Sequence, residues 1–166
     1  LCSFVCDRTS VESLEGFEAS RRTLQHLHLG NAPRLRSLDA LRGAGGLKHL
    51  YLGGSALETL DDLGAMEALT TLSLTGAAVS DLAPLRALTG LRLLDLRGCA
   101  SVSSLAAVAD LDLDLVVLAD TGVVPDAVPA RLRHRVSWAD KPQLLLFGAP
   151  ALGPLRTEHR WSELPA

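Results

Sequence analysis

Leu69 to Leu96 reads LTTLSLTGAAVSDLAPLRALTGLRLLDL, with leucines at 69, 72 and 74 and again at 91, 94 and 96. An L-x-x-L-x-L phrase that returns after 22 residues is the signature of a stacked repeat, each unit too small to bury its own apolar face. Working outward, the same register finds Leu1, Phe4 and Cys6, then Leu24, Leu27 and Leu29, then Leu47, Leu50 and Leu52, and finally Leu113, Val116 and Leu118. Repeats starting at 1, 24, 47, 69, 91 and 113 have lengths of 23, 23, 22, 22 and 22 residues. Chance does not produce that regularity.

The triplets predict short strands, because side chains on a strand alternate faces and the triplet's second and third members share one face. Stacked side by side, the strands make a parallel sheet over a continuous apolar interior. The second half of each repeat carries apolar residues every third position: Leu57, Leu60, Leu63 and Met66; Val79, Leu82, Leu85 and Leu88; Val102, Leu105, Val108 and Leu111. That spacing predicts 3₁₀ turns or short helices on the convex side. Pro84 falls in this stretch, where it blocks helix extension without costing a sheet hydrogen bond. Before Leu35 and Val102 one extra residue is inserted, which convex loops absorb. Three residues after each triplet stand Thr9, Ala32, Ser55, Ala77, Cys99 and Thr121, small residues suited to a buried slot. Glu58, Asp61 and Asp62 are read as convex carboxylates that aid solubility.

Beyond Leu118 the pattern decays. Val123, Val124 and Val128, with Pro125 and Pro129, complete a sixth convex side, and 132–138 (LRHRVSW) reads as one more irregular strand. The repeats are assigned to 1–131. Residues 132–166, which contain the short apolar run 144–147, several prolines and both tryptophans, Trp138 and Trp161, are assigned to a cap over the last repeat. Leu1 opens directly on a strand and is not Met, so the sequence reads as truncated at its start, with an open edge that the intact protein must protect.

Composition narrows the class. At 166 residues, 48% apolar and 21% charged, the chain has an ordinary soluble balance, while 4% aromatics suit leucine layers rather than a ring-filled core. A net charge of −3 gives no field to draw nucleic acid or an anionic membrane, and no apolar run approaches the roughly 18 residues of a membrane span. Cys2, Cys6 and Cys99, odd in number and scattered, argue against a secreted disulfide framework. No signal peptide is visible, so a cytoplasmic setting is expected.

VSDLAPLRALTGLRLLDL resembles the 22-residue leucine-rich repeats of bacterial internalins and of a phosphatase regulatory subunit, and LDLRGCASVSSL resembles cysteine-containing repeats of other families. The likeness covers about residues 1–125. It implies an α/β leucine-rich-repeat solenoid with a concave parallel sheet, a convex side of 3₁₀ turns or short helices, and a carboxy-terminal cap. Ala, Arg, Gly and Leu replace the Asn, Thr, Lys and Ile of those adhesins, and the slot asparagines are absent. Repeats of this composition are similar to the carboxy-terminal sensor repeats of bacterial NACHT-type STAND NTPases, relatives of NOD-like immune receptors. That resemblance implies a non-catalytic sensing or autoinhibitory module with an ATPase domain upstream. Gly43, Gly45 and Gly46 are not followed by G-x-x-x-x-G-K-[ST], so no phosphate cradle lies here. An internalin-like surface adhesin and a substrate-positioning domain of a larger enzyme remain as alternatives.

The register also says what lines the concave face. The position between second and third triplet members reads Val5, His28, Tyr51, Ser73, Asp95, Val117, and the one before the second member reads Ser3, His26, His49, Thr71, Leu93, Leu115. With strands about 4.8 Å apart, His26, His28, His49 and Tyr51 form one patch. They are either solvated residues without a common task or a contact for a protein or peptide, since amphipathic rings favour interfaces. A zinc site lacks a fourth ligand. Arg92, Asp95 and Arg97 read as a mixed-charge polar rim on the next strands. The expected binding set is therefore His26, His28, His49, Tyr51, Ser73, Arg92, Asp95 and Arg97. Arg131, Arg133, His134 and Arg135 form a basic cluster near the cap. No nucleophile or carboxylate pair stands beside a base, so no catalytic residue, cofactor or metal is assigned. The expected partners are a protein or peptide ligand and other domains of the same polypeptide, not nucleic acid or membrane.

Overall fold

The computed structural model describes residues 2–8 and 10–139. Among the described residues seven strands form one parallel sheet in strict chain order: β1 (Ser3–Asp7), β2 (His26–Gly30), β3 (His49–Tyr51), β4 (Thr71–Ser73), β5 (Leu93–Asp95), β6 (Leu115–Val117) and β7 (Val136–Ser137). The pairing joins equivalent positions, Leu27 opposite Leu50, Leu50 opposite Leu72, Leu72 opposite Leu94 and Leu94 opposite Val116. The solenoid expected from the triplet register is the fold observed. The two-residue β7 pairs with β6 and falls within 132–138. Leu1, Thr9 and the expected cap from 140 onward lie outside the described residues.

Leucine layers hold the coils together. Every second and third triplet member from Leu27 to Leu118 is buried, as are the convex residues Leu57, Leu60, Leu63 and Met66 and their equivalents in the next two repeats. No single repeat could remove these side chains from water, so each coil is stable only against its neighbour, and truncating one such leucine to alanine costs about 2–5 kcal/mol. The first repeat follows the same spacing of three with Val11, Leu14 and Phe17, Phe17 meeting Phe4 edge to face at 5.0 Å.

The convex side consists of 3₁₀ turns, Asp39–Leu41, Asp61–Ala65, Ala83–Ala87, Ala106–Val108, Pro125–Ala127 and Ala130–Leu132. A three-residue repeat of buried side chains matches three residues per turn. The extra residue before Leu35 and Val102 is taken up in turns closed by Leu35 N–H to Ala32 O and Val102 N–H to Cys99 O, both at 3.0 Å. Asp62 departs from the solubility role. Its carboxylate accepts from Leu38 N–H at 3.3 Å and Arg42 Nε at 2.7 Å, tying two successive convex turns.

Two residues past each triplet the chain turns left-handed. Arg8, Asn31, Gly54, Gly76, Gly98 and Asp120 all have φ between 52° and 70°, the region that glycine enters freely and Asn and Asp tolerate. Each N–H from Arg8 to Gly98 donates to the carbonyl one residue earlier in the next coil, as Gly76 does to Arg97 at 2.7 Å. At Gly98 a side chain would also crowd Gly76, whose Cα lies 3.4 Å from where a Cβ would be.

Candidate functional site

Strand register sets the concave face in two rows. One runs Ser3, His26, His49, Thr71, Leu93, Leu115, and the other Val5, His28, Tyr51, Ser73, Asp95, Val117. On β2 and β3 these rows bring four rings together in two pairs. His26 stacks on His49 with ring centroids 4.6 Å apart and planes 17° off parallel. His28 lies 5.2 Å from Tyr51 at 32°. Val5 continues the second row onto β1 and is 65% exposed.

Burial differs within the patch. His26 is exposed, and His28, His49 and Tyr51 are partly buried. His49 Nδ1 is enclosed without a hydrogen-bond partner, so Nε2 is the ring nitrogen left to solvent. Burial first, then the facing His26, then Lys48 hold the His49 imidazole below its ordinary range. Burial likewise pushes the Tyr51 phenol up.

Ser73, Asp95 and Arg97 lie on the same sheet but form a different kind of cluster. Asp95 is fully buried and Arg97 is only 7% exposed. Arg97 Nε donates to Asp95 Oδ1 at 2.9 Å and Nη2 to Oδ2 at 2.6 Å, while the Arg97 backbone N–H donates to Oδ1 at 3.1 Å. Ser73 Oγ and Thr75 Oγ1 donate to Oδ2 at 3.3 and 3.1 Å. The solvent-facing polar rim read from the sequence is thus a closed two-pronged ion pair, because hydroxyls from the preceding coil complete the carboxylate's bonding. Arg92 does not join it; it pairs with Asp112 on the next repeat.

The basic cluster near the last strands is also largely answered. Arg131 pairs with Asp110 at 3.6 Å and Arg135 with Asp114 at 3.2 Å, so Asp110, Asp112 and Asp114 neutralise arginines from coils on either side. Cys99 is a structural residue: its Sγ donates to Leu74 O at 3.0 Å, and burial pushes the thiol up to about 11. Among the described residues no group of three or more His, Cys, Asp or Glu side chains is placed to hold a metal ion, and no helix is long and apolar enough to cross a membrane.

Sequence reasoning found the ring patch from register alone. It missed Thr75, although the 20-residue spacing from Thr75 to Asp95 was there to be read.

No protein-family model matches the chain, and no curated protein matches it in sequence. Solved structures do. An internalin (inlF) from Listeria monocytogenes is similar with a TM-score of 0.70 and 23% identity, over 74% of this chain and 36% of that one. A second internalin of that organism (inlC2) is similar with a TM-score of 0.60 and 19% identity, over 82% of this chain and 69% of that one. This chain therefore spans about a third of the length of the first. The likeness identifies the fold as a leucine-rich-repeat solenoid.

Proposed function

We propose that this chain is a non-catalytic recognition module whose concave face, around His26, His28, His49 and Tyr51, contacts a protein or peptide. The observation that carries the reading is the paired rings on β2 and β3, half-open to solvent and continued by the exposed Val5. Rigid amphipathic rings contribute contact area at small entropic cost and concentrate at interfaces. The sheet beneath fixes their spacing, so the patch is preorganised. An open concave sheet does not exclude water from a reaction.

Ala-, Arg-, Gly- and Leu-rich repeats support a more specific setting, the sensor or autoinhibitory end of a bacterial NACHT-type STAND ATPase in the cytoplasm. A second reading, an internalin-like surface adhesin, is favoured by the two internalin folds. Reading the full gene separates them: an upstream Walker lysine supports the sensor, and a secretion signal with a wall anchor supports the adhesin.

Recognition itself is tested with His28→Ser/Tyr51→Ser, exposed enough to leave the leucine layers intact. Partners cross-linked to the wild-type chain should be lost from this variant at unchanged thermal midpoint. Retention of every partner would remove the concave patch from the function.

A further inference from the structure

The His26–His49 stack has neutral polar side chains, a third histidine and one lysine as its neighbours. From β1 Ser3 stands opposite His26; β2 adds His28, β3 adds Tyr51, Lys48 immediately precedes β3, and β4 places Thr71 opposite His49. Asp7, the acidic residue of β1, stands at the far end of that strand in register with Gly30. No carboxylate occupies the rows next to the two imidazoles on β1 to β4, and the nearest fixed charge in sequence, Lys48, is positive. The two parallel rings at 4.6 Å are well packed when neutral, but two protons there would repel without a counter-charge. His49 Nε2 is the ring nitrogen left to a ligand, because Nδ1 is enclosed.

We propose that this end of the concave face takes a carboxylate-bearing segment of a partner protein, and that a proton is taken up at the His26–His49 stack as it binds. The inference rests on the recognition reading above and names its partner chemistry. The missing negative charge arrives with the ligand, turning a ring contact into a charge-assisted hydrogen bond from an imidazolium to a carboxylate. Since His49 in the free chain resists the proton and the complex holds it, the complex is favoured as pH falls. Burial and the neighbouring His26 and Lys48, which hold His49 below its ordinary range in the free chain, act in the direction this linkage needs.

The test uses the full chain and a dye-labelled octaglutamate peptide, with octaglutamine as control, at constant ionic strength. Uptake of one proton changes affinity at most tenfold per pH unit, so octaglutamate should bind roughly tenfold tighter at pH 6.0 than at pH 8.0. His49→Gln should flatten that dependence to within about twofold, and His26→Gln, at an exposed position that does not risk the fold, should do the same. His134→Gln, outside the patch, should leave it unchanged. In NMR titration the His49 ring should hold its proton to higher pH in the complex than in the free chain.

Affinity equal at both pH values but lost in Tyr51→Ala overturns the proton linkage and leaves concave recognition standing. Octaglutamate binding indifferent to Tyr51, His26 and His49 overturns both. Absence of binding at either pH, or equal binding by an oligothymidylate of the same charge, overturns the carboxylate assignment, and concave recognition is then decided by the cross-linking experiment alone.

Discussion

Asp95→Ala is the substitution whose outcome follows most directly from the atoms. The carboxylate accepts five hydrogen bonds, two on Oδ1 and three on Oδ2, from Arg97, Ser73 and Thr75. Its side chain is fully buried and that of Arg97 is 8% exposed. Removing the acid takes from the enclosed guanidinium its two-pronged counter-charge and leaves the Ser73 and Thr75 hydroxyls only each other, at 3.1 Å. Breaking a buried pair in this way costs about 3–5 kcal/mol, against about 0–1 kcal/mol for an exposed one. With a urea m-value of about 2 kcal/mol/M, the unfolding midpoint should fall by about 1.5–2.5 M. Asp95→Asn keeps the shape and part of the bonding, and should fall between Asp95→Ala and wild type. In a double-mutant cycle with Arg97→Ala the coupling should reach about 2 kcal/mol or more, since residues in one network do not add. A loss below about 0.5 kcal/mol, the usual effect of a surface substitution, or additive single mutants, would show that the cluster is a solvated rim after all.

Other positions give smaller, sharper tests. Ser55 occupies the same slot as Cys99, but its buried Oγ has no hydrogen-bond partner; Ser55→Ala should therefore stabilise by about 1 kcal/mol, raising the calorimetric midpoint by about 2–4 °C. The Cys99 thiol, buried and pushed up to about 11, should resist iodoacetamide at pH 8 in the folded chain while the exposed Cys2 reacts, as counted by mass spectrometry. Without ligand, thermal stability should fall as pH is lowered through the ordinary histidine range near 6.5. There the unfolded chain takes up a proton that folded His49, held below that range, takes up less readily; above it the contribution is nil, and His49→Gln should remove it.

The fold was legible because its cause is periodic. Leucine spacing encodes which strand face is apolar, and a return every 22 or 23 residues allows stacking in only one register. The ring patch was legible for the same reason, since His26 with His49 and His28 with Tyr51 are equivalent positions of adjacent coils. Asp95 and Asp62 were misread because alternation gives direction, not exposure. Whether an outward side chain reaches water depends on what neighbouring coils offer it. For Asp95 that is Ser73 and Thr75, and for Asp62 it is Leu38 N–H and Arg42. Ser73 is the column neighbour of Asp95, but Thr75, Leu38 and Arg42 lie 20 to 24 residues from the acids they meet, at different repeat positions, and a column-by-column reading does not set them side by side.

The same cross-coil bonding explains why one face has two characters. On β4 and β5 the outward polar groups are consumed by one another: Ser73, Thr75, Asp95 and Arg97 bind and fix adjacent coils. On β2 and β3 the outward groups are rings that touch in pairs, with His49 Nε2 the ring nitrogen left to solvent. The positions where β2 and β3 continue toward the left-handed turn are Gly30 and Gly53, where β4 and β5 lead into Thr75 and Arg97. Without side chains there, Gly30 and Gly53 cannot close over the rings of their own strands as Arg97 closes over Asp95. A surface that satisfies itself has little to exchange with a ligand, whereas one with packed rings, an open His49 nitrogen and bare glycine beside them does. The recognition we propose therefore falls on the first three coils, while the charged cluster on β5 holds the sheet beneath them in register.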